Sequence, residues 1–512
     1  MSSRLTRREL IGGALGGAAL VGLAGCDAGG PGPSAADGST LRATWIDPAG
    51  DGQLVLGPGE RLLDRVDLGV RSRITAELAR LAHFTDAHVM DASSPARVPF
   101  LARLGPPVQS TFRPQEALTA QVLDGTVNAI RALAPQLVIQ GGDLIDNDQS
   151  NEFAHALGLL NGGAVHPGSG ARGYYGVQLA SDPDPLYYRP DIDSPRYPGM
   201  LTDAVRPFIA RGLGREWLPV LGDHDALVAG ELVPSPVTQA LAVGDRALWS
   251  LPTNLRLPAG LKLSPSGSPD GPPDSSYLAS FLAQALEGPT VRVPADPSRY
   301  ELSFGQVTER LWAGSRAPAQ PGLQAAQVLS DGRLDYVRDL GESLRLVVLD
   351  LVQRGGGSGG VVSGGQPTWL QEQLNSAGDR WVIVVSHMPL VSSAGGDSLL
   401  AVMDQSPRVI AAIAGHIHRN QILARHSPAG GYWLITTSSL IDFPQQTRAL
   451  RLMSTADGGV ALQTWMLDHV GDGRLGRFSR ELSYLDAAGG RPMGFRGTHL
   501  DRNVTLYRRP VS

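Results

Sequence analysis

Ile413-Ala-Gly-His-Ile-His-Arg-Asn420 places two histidines two positions apart, directly after the apolar run Val409 to Ala414. A short apolar run closed by glycine reads as a buried strand. In extended backbone, positions i and i+2 face the same side. His416 and His418 are therefore expected to project from one strand end toward one place. A histidine pair at a strand end means little alone. It gains meaning if other strands deliver carboxylates and imidazoles to that place, and four more segments have this form.

Leu81-Ala-His-Phe-Thr-Asp-Ala-His88 is an apolar run ending in Asp86 and His88, again two apart. Gln136-Leu-Val-Ile-Gln-Gly-Gly-Asp143 sets two glycines before a carboxylate. Trp217-Leu-Pro-Val-Leu-Gly-Asp-His-Asp225 ends in Asp223, His224 and Asp225. Trp381-Val-Ile-Val-Val-Ser-His387 ends in a histidine. Leu344 to Asp350 and Tyr432 to Thr437 read as further strands. Leu450 to Met453 and Val460 to Met466 read as a hairpin across Ala456-Asp-Gly-Gly459. Helical spacing of apolar residues marks Pro114 to Leu133 and Pro367 to Leu374. Strands alternating with helices, with polar residues at the strand ends, predict a layered α/β architecture carrying its chemistry on loops.

In chain order the motifs are Asp-x-His (86, 88), Gly-Gly-Asp (141–143), Gly-Asp-His-Asp (222–225), Ser-His (386–387) and Gly-His-x-His (415–418). This series resembles that of the calcineurin-like metallophosphoesterases, over roughly residues 80 to 470. The resemblance implies a four-layer α/β/β/α sandwich, here with two long inserts at about 150–215 and 226–343. It implies two divalent metal ions, with Mn, Fe, Zn or Co all compatible with oxygen and nitrogen ligands. Asp86, His88 and His418 would hold the first ion, and Asp143 would bridge. His387, His416 and Asp223 would hold the second. His224 would act as general acid toward the leaving oxygen, oriented by Asp225. The implied activity is hydrolysis of a phosphate mono- or diester by a hydroxide bridging the two ions, which also relieve charge on the transferring group. The alternative is an exported lipoprotein that keeps the fold as a non-catalytic binding module.

The chain departs from two related patterns. The family's usual Asn is Asp223 here. Its extra negative charge disfavours a dianionic monoester relative to a monoanionic diester. The purple acid phosphatase pattern does not fit, because its tyrosine position holds Asp146 and its first motif ends in Gly where this chain has His88.

The amino terminus carries Thr6-Arg7-Arg8-Glu9-Leu10-Ile11, a paired-arginine motif, followed by a weakly apolar run to Leu23. That run is shorter than the roughly 20 residues a membrane-spanning helix needs and fits an export signal of the twin-arginine type. Leu23-Ala-Gly-Cys26 resembles a lipobox. Residues 1–26 are thus expected to be a twin-arginine signal peptide with lipid attachment at Cys26. Residues 27–75 follow as a tether and N-terminal extension, 76–470 as the phosphoesterase domain, and 471–512 as a polar C-terminal tail. The expected partners are the export machinery, the membrane through its lipid anchor, and a phosphoester substrate. The expected location is the outer face of the cytoplasmic membrane, or release outside the cell.

Composition sets the remaining bounds. Of the 512 residues, 42% are apolar, enough for a large core, and the net charge of −5 supplies no basic stripe for nucleic acid. Cys26 is the only cysteine, so an internal disulfide is excluded and a metal site must use His, Asp, Glu or Asn. The other residues near the motifs read more plainly. His83 is expected in the core or in support behind the ligands. His155, His166, His426, His469 and His499 are expected on loops or the surface. Asp146 and Asp148 read as a loop and helix-cap cluster, and Asp91 as a solvated turn residue. Arg419 and Asn420 stand open between substrate contact and surface loop. The run Gly355 to Gly365 lacks the Lys-Ser/Thr ending of a phosphate-binding loop.

Overall fold

The structure is a computed structural model that describes residues 36–104, 111–250, 284, 287–315, 332–471 and 473–511. The expected signal sequence, Cys26 and the Ser264–Ser276 stretch lie outside the described residues. Two sheets carry the fold, and their strands are numbered here in chain order. The first contains β1 (Leu63–Leu68), β2 (Ile74–Phe84), β3 (Leu137–Gln140) and β4 (Trp217–Pro219), completed by β11 (Gln446–Thr455), β12 (Val460–Asp468) and β13 (Val504–Arg508). Its order is β1-β13-β12-β11-β2-β3-β4. The second contains β5 (Tyr336–Leu340), β6 (Leu344–Leu349), β7 (Trp381–Ser386), β8 (Val409–Ala414), β9 (Gln421–Arg425) and β10 (Tyr432–Thr436), in the order β5-β6-β7-β8-β10-β9.

The layering follows from the two-residue period of buried strands. Leu81, Ile139 and Leu218 of the first sheet meet Leu346, Ile383, Val385, Ile413 and Ile435 of the second in one cluster. The alternate residues, Ala82, Phe84 and Val138, pack with Leu123, Ile130 and Phe153 of the helices Thr119–Leu133 and Ser150–Asn161. On the far side, Val347, Val382 and Val384 pack with Leu370, Leu399 and Met403 of the helices Gln366–Asn375 and Gly396–Asp404. Both faces of each sheet are thus apolar, so the strands read as continuous runs. The expected α/β/β/α sandwich is the fold observed.

Strand direction positions the site. In the first sheet β2, β3 and β4 run parallel, and in the second β6, β7, β8 and β10 do. Parallel strands put their carboxyl ends on one edge, where ligand sites of such sheets lie. The segments leaving β2, β3, β4, β7 and β8 are the five motif segments.

The ends of the chain differ from expectation. Residues after 470 supply the helix Arg474–Gly489, packed on the helix Thr119–Leu133, and the strand β13 between β1 and β12. Phe478 and Leu482 are the buried one-turn pair of that mostly polar helix. Val504 and Leu506 are the alternating core residues of β13. Both signals are short, which is why the region read as a tail. Within 27–75, β1 belongs to the first sheet and Ala43–Ile46 pairs with Val55–Pro58. Among the described residues no helix is long and apolar enough to cross a membrane.

Candidate metal centre

The seven expected ligands come together. Asp86, His88 and His418 form one group, and Asp143, Asp223, His387 and His416 another. Within each group the ligand atoms lie within 4.8 Å of one another. Asp143 also forms a group with His88 and His224, so it is the residue shared between the two sides. The histidine pair is divided as the family resemblance implies: His416 faces Asp223 (Nδ1 to Oδ1 3.3 Å), and His418 faces Asp86 (Nε2 to Oδ1 3.3 Å).

The backbone achieves this differently from the period-two expectation. β8 ends at Ala414, and His416 and His418 have φ of 67° and 57°. Asp86, His88 and Asp143 likewise have φ of 53°, 42° and 50°. Among the described residues eight non-glycine residues have positive φ, and five of them are these. The side chains are therefore aimed by left-handed turns after the strands, not by an extended strand face. Asp and His tolerate this region better than most residues, and such strain concentrates where the surroundings overdetermine it. Here the surroundings are a ladder of backbone bonds. The N–H groups of Asp86, His88 and Val89 donate to the carbonyls of Gly142, Asp143 and Leu144 at 3.0, 3.1 and 3.0 Å. The glycines before the carboxylates make room. A Cβ on Gly142 (φ 94°) would lie 2.3 Å from His387 Nδ1, and one on Gly222 2.1 Å from Asp143 Oδ1.

Three of the four rings are oriented through their second nitrogen. His88 Nδ1 pairs with Asp146 Oδ1 at 3.1 Å, His387 Nδ1 donates to the Gly141 carbonyl at 2.8 Å, and His418 Nδ1 pairs with Asp442 Oδ2 at 2.6 Å. The Nε2 atoms are thereby turned to the centre, the arrangement that metal-ligating histidines use. His88 Nε2, His387 Nε2 and Asp223 Oδ1 are buried and make no hydrogen bond. Yet His387 Nε2 lies 3.1 Å from Asp143 Oδ2 and 3.3 Å from Asp223 Oδ1. Buried polar atoms left without partners are costly, and these converge with the geometry of groups that share a cation. The donor set of imidazoles and carboxylates without thiolate fits divalent ions.

Charge tells the same story. Burial opposes the charge on His418, but the carboxylates of Asp86 and Asp442 outweigh it and raise its pKa to about 9. His387 is held well above the ordinary range against burial, chiefly by Asp143. Burial and the neighbouring His224 instead lower His88. Protons and metal ions thus compete for His387 and His418. Metal affinity should fall as pH drops below about 9, roughly tenfold per pH unit for each proton displaced. Titrating Mn²⁺ into the metal-free protein at pH 6, 7 and 8 measures this, and a flat profile would contradict it. The metal-free protein should behave oppositely. A raised histidine stabilises below its unfolded pKa, and that stability is lost as pH rises through the folded value.

Several surroundings differ from the sequence expectation. Asp225 does not touch His224. Its Oδ1 accepts from the N–H groups of Leu144 and Ile145 at 2.8 and 3.2 Å, and its Oδ2 from that of Gly222 at 2.9 Å. It therefore pins the Asp143 loop. His224 Nδ1 donates instead to the Asp146 carbonyl at 2.7 Å. Asp146 is accordingly no helix cap, since it orients two histidines. Asp148 caps nothing either and is fully buried with neither oxygen bonded. Asp91 is buried and paired with Arg299 of the second insert (Oδ2 to Nε 3.0 Å). His155 and His469 are buried, not at the surface, whereas His83 is the core histidine expected, with Nδ1 on Thr437 Oγ1 at 2.8 Å. Asn420 is fully buried, its Oδ1 accepting from Ser438 and Arg448, while Arg419 is exposed. Asp442 was not singled out by sequence. It bonds His418, Arg113 (2.7 Å) and Arg491 (3.2 Å), and it follows β10 with no motif beside it.

Comparison with known proteins adds three observations. Residues 329–420 match the model of the family described as calcineurin-like phosphoesterase, a span that includes His387, His416 and His418. No curated protein matches the sequence. Among solved structures, a dimetal phosphatase from Danio rerio is 14% identical, with a TM-score of 0.36 over 78% of this chain and 98% of that one. PhoD is 10% identical, with 0.32 over 85% and 80%. A purple acid phosphatase from yellow lupin (Lupinus luteus) seeds is 9% identical, with 0.33 over 89% and 57%.

Proposed function

We propose that this calcineurin-like phosphoesterase is a two-metal hydrolase that favours phosphate diesters over monoesters. The observation that carries the reading is the convergence of two ligand groups on Asp143, with buried, unbonded His88 Nε2, His387 Nε2 and Asp223 Oδ1 facing the centre. Asp86, His88 and His418 would hold one ion, Asp223, His387 and His416 the other, and Asp143 both. Two divalent ions so held supply a nucleophile at neutral pH and neutralise charge on the transferring phosphoryl group. The chain's own residues do the rest. Asp146, Gly141 and Asp442 fix the imidazoles of His88, His387 and His418. Asp225 fixes the loop that presents Asp143. His224, with its side chain 24% exposed against 0–3% for Asp143, Asp223 and His387, is the imidazole placed to meet the substrate.

The diester preference rests on Asp223. Burial opposes its charge, but His416 and His387 hold its carboxyl well below the usual range, so it is ionised. Asp86, Asp143 and Asp223 then set three negative charges against two divalent cations. A monoester brings one more negative charge than a diester into this field. With Asp223→Asn, monoester turnover relative to diester turnover should rise about tenfold or more. Parallel rates on a nitrophenyl monoester and a bis-nitrophenyl diester with Mn²⁺-loaded protein test the proposal. An unchanged ratio would sink the charge argument. Full metal occupancy with no hydrolysis of either ester would instead favour a binding module.

A further inference from the structure

The first turn of the helix Ser150–Asn161 holds a carboxylate that no motif marks. Glu152 is fully buried. Its Oε1 accepts from the backbone N–H of Asp91 at 2.8 Å. Its Oε2 accepts from the N–H groups of Asn147 at 2.7 Å and Asp146 at 3.2 Å. These donors belong to two different loops. Asp91 closes the loop that bears Asp86 and His88, and Asp146 and Asn147 close the one that bears Asp143. The backbone ladder between the loops runs as far as the bridge between Val89 and Ile145. Just past it, Glu152 becomes the cross-link.

What hangs on that cross-link is specific. Asp146 offers Oδ1 to His88 Nδ1 and its carbonyl to His224 Nδ1. Asn147 Oδ1 accepts from the N–H of Ala229 at 2.9 Å. Ala229 precedes Gly230, where a Cβ would lie 2.5 Å from the His224 ring. A displaced 146–147 backbone would therefore move His88 and His224 together. His387 rests on the Gly141 carbonyl, and His416 donates its N–H to Asp86, so neither leans on this segment. Burial and the carboxylates of Asp146 and Asp91 hold the Glu152 carboxyl well above its ordinary value, against the N–H donors of Asp91 and Asn147. Asn151 adds a second tie from the same turn, its Nδ2 donating to Asp91 Oδ2 at 3.0 Å.

We infer that Glu152 is a positioning residue for the reaction: by holding the ends of two ligand loops it fixes Asp146, and through Asp146 both His88 and His224, without touching metal or substrate. The inference rests on the two-metal reading above. Glu152→Gln keeps the shape but turns an amide N–H₂ toward N–H donors. Mn²⁺ titration of the metal-free variant should show one equivalent weakened about tenfold or more and the other unchanged, as for loss of a group supporting a metal ligand. In the loaded variant kcat should fall more for an alkyl than for an aryl diester, with KM held, because His224 is displaced. Glu152→Asp, a carboxyl one methylene shorter, should show the same split, and it decides the matter if Glu152→Gln does not fold. Two affinities unchanged, two affinities lowered alike, or a kcat loss blind to the leaving group would each overturn the inference. A wild-type protein that binds two equivalents yet hydrolyses no phosphoester would overturn the functional reading instead, and the metal split would still decide the role of Glu152.

Discussion

Asp143→Asn should lower phosphoester hydrolysis about a thousandfold or more and leave the protein unable to hold two metal ions together, since paired ions depend on a carboxylate between them. The substitution isolates charge from shape. Asn tolerates positive φ as Asp does, so the loop at φ 50° need not refold. The amide oxygen can still accept the N–H of His224, now 3.0 Å from Asp143 Oδ1. What is lost is the one negative charge shared by both ligand groups. Asp143 Oδ2 lies 3.1 Å from His387 Nε2 and 3.7 Å from His88 Nε2, so the same oxygen faces a histidine from each side. Two divalent ions about 3.5–4 Å apart repel strongly without a carboxylate between them. Metal analysis after dialysis should find at most one equivalent. Asp86→Asn serves as the contrast and should cost mainly the ion held with His88 and His418. Two tightly held equivalents in Asp143→Asn would show that Asp143 does not bridge.

The expected ligands were legible because each follows an apolar strand, and three of them, Asp143, Asp223 and His416, come directly after a glycine that sterics demand. The fold was legible for a related reason: strands buried on both faces, such as Trp381–Ser386 and Val409–Ala414, are unbroken apolar runs that few other structures explain. The supports were not legible. Asp442 reaches His418 across 24 positions, and Glu152 reaches Asp91 across 61, so neither spacing announces a contact. Asp146 did stand within reach of a motif, but a lone Asp three residues past Asp143 looks the same whether it caps a helix or holds a histidine. The period-two argument reached the right convergence through the wrong backbone. It placed His416 and His418 on one face, whereas left-handed turns send them to different groups. β13 was missed because a five-residue run with only Val504 and Leu506 as aliphatic residues does not stand out in a polar stretch. Such a strand is fixed by the neighbours it completes, not by its own composition.

His224→Gln should then separate leaving-group protonation from everything else the site does. The Asp146 carbonyl can only accept, so the hydrogen on that ring sits at Nδ1 and Nε2 is the atom that gains or loses a proton. Burial opposes the charged ring, but the carboxylates of Asp143, Asp223 and Asp146 outweigh it and raise its pKa. A raised pKa keeps Nε2 protonated further into the neutral range, which is the state a general acid needs. General acid catalysis contributes about 10²–10⁴-fold where the leaving oxygen needs a proton. An alkyl diester should therefore lose that much kcat in His224→Gln, while an activated aryl diester, whose leaving oxygen departs as a stable anion, should lose less than about tenfold. The alkyl rate of the wild type should fall at alkaline pH as Nε2 deprotonates, and this limb should be missing from the variant. Asp225→Asn supplies the control. Asp225 bonds only backbone N–H groups of the Asp143 and Asp223 loops, so its loss should slow both esters alike. If His224→Gln also slowed both esters alike, the ring would be gripping the phosphoryl group and not delivering a proton to the leaving oxygen.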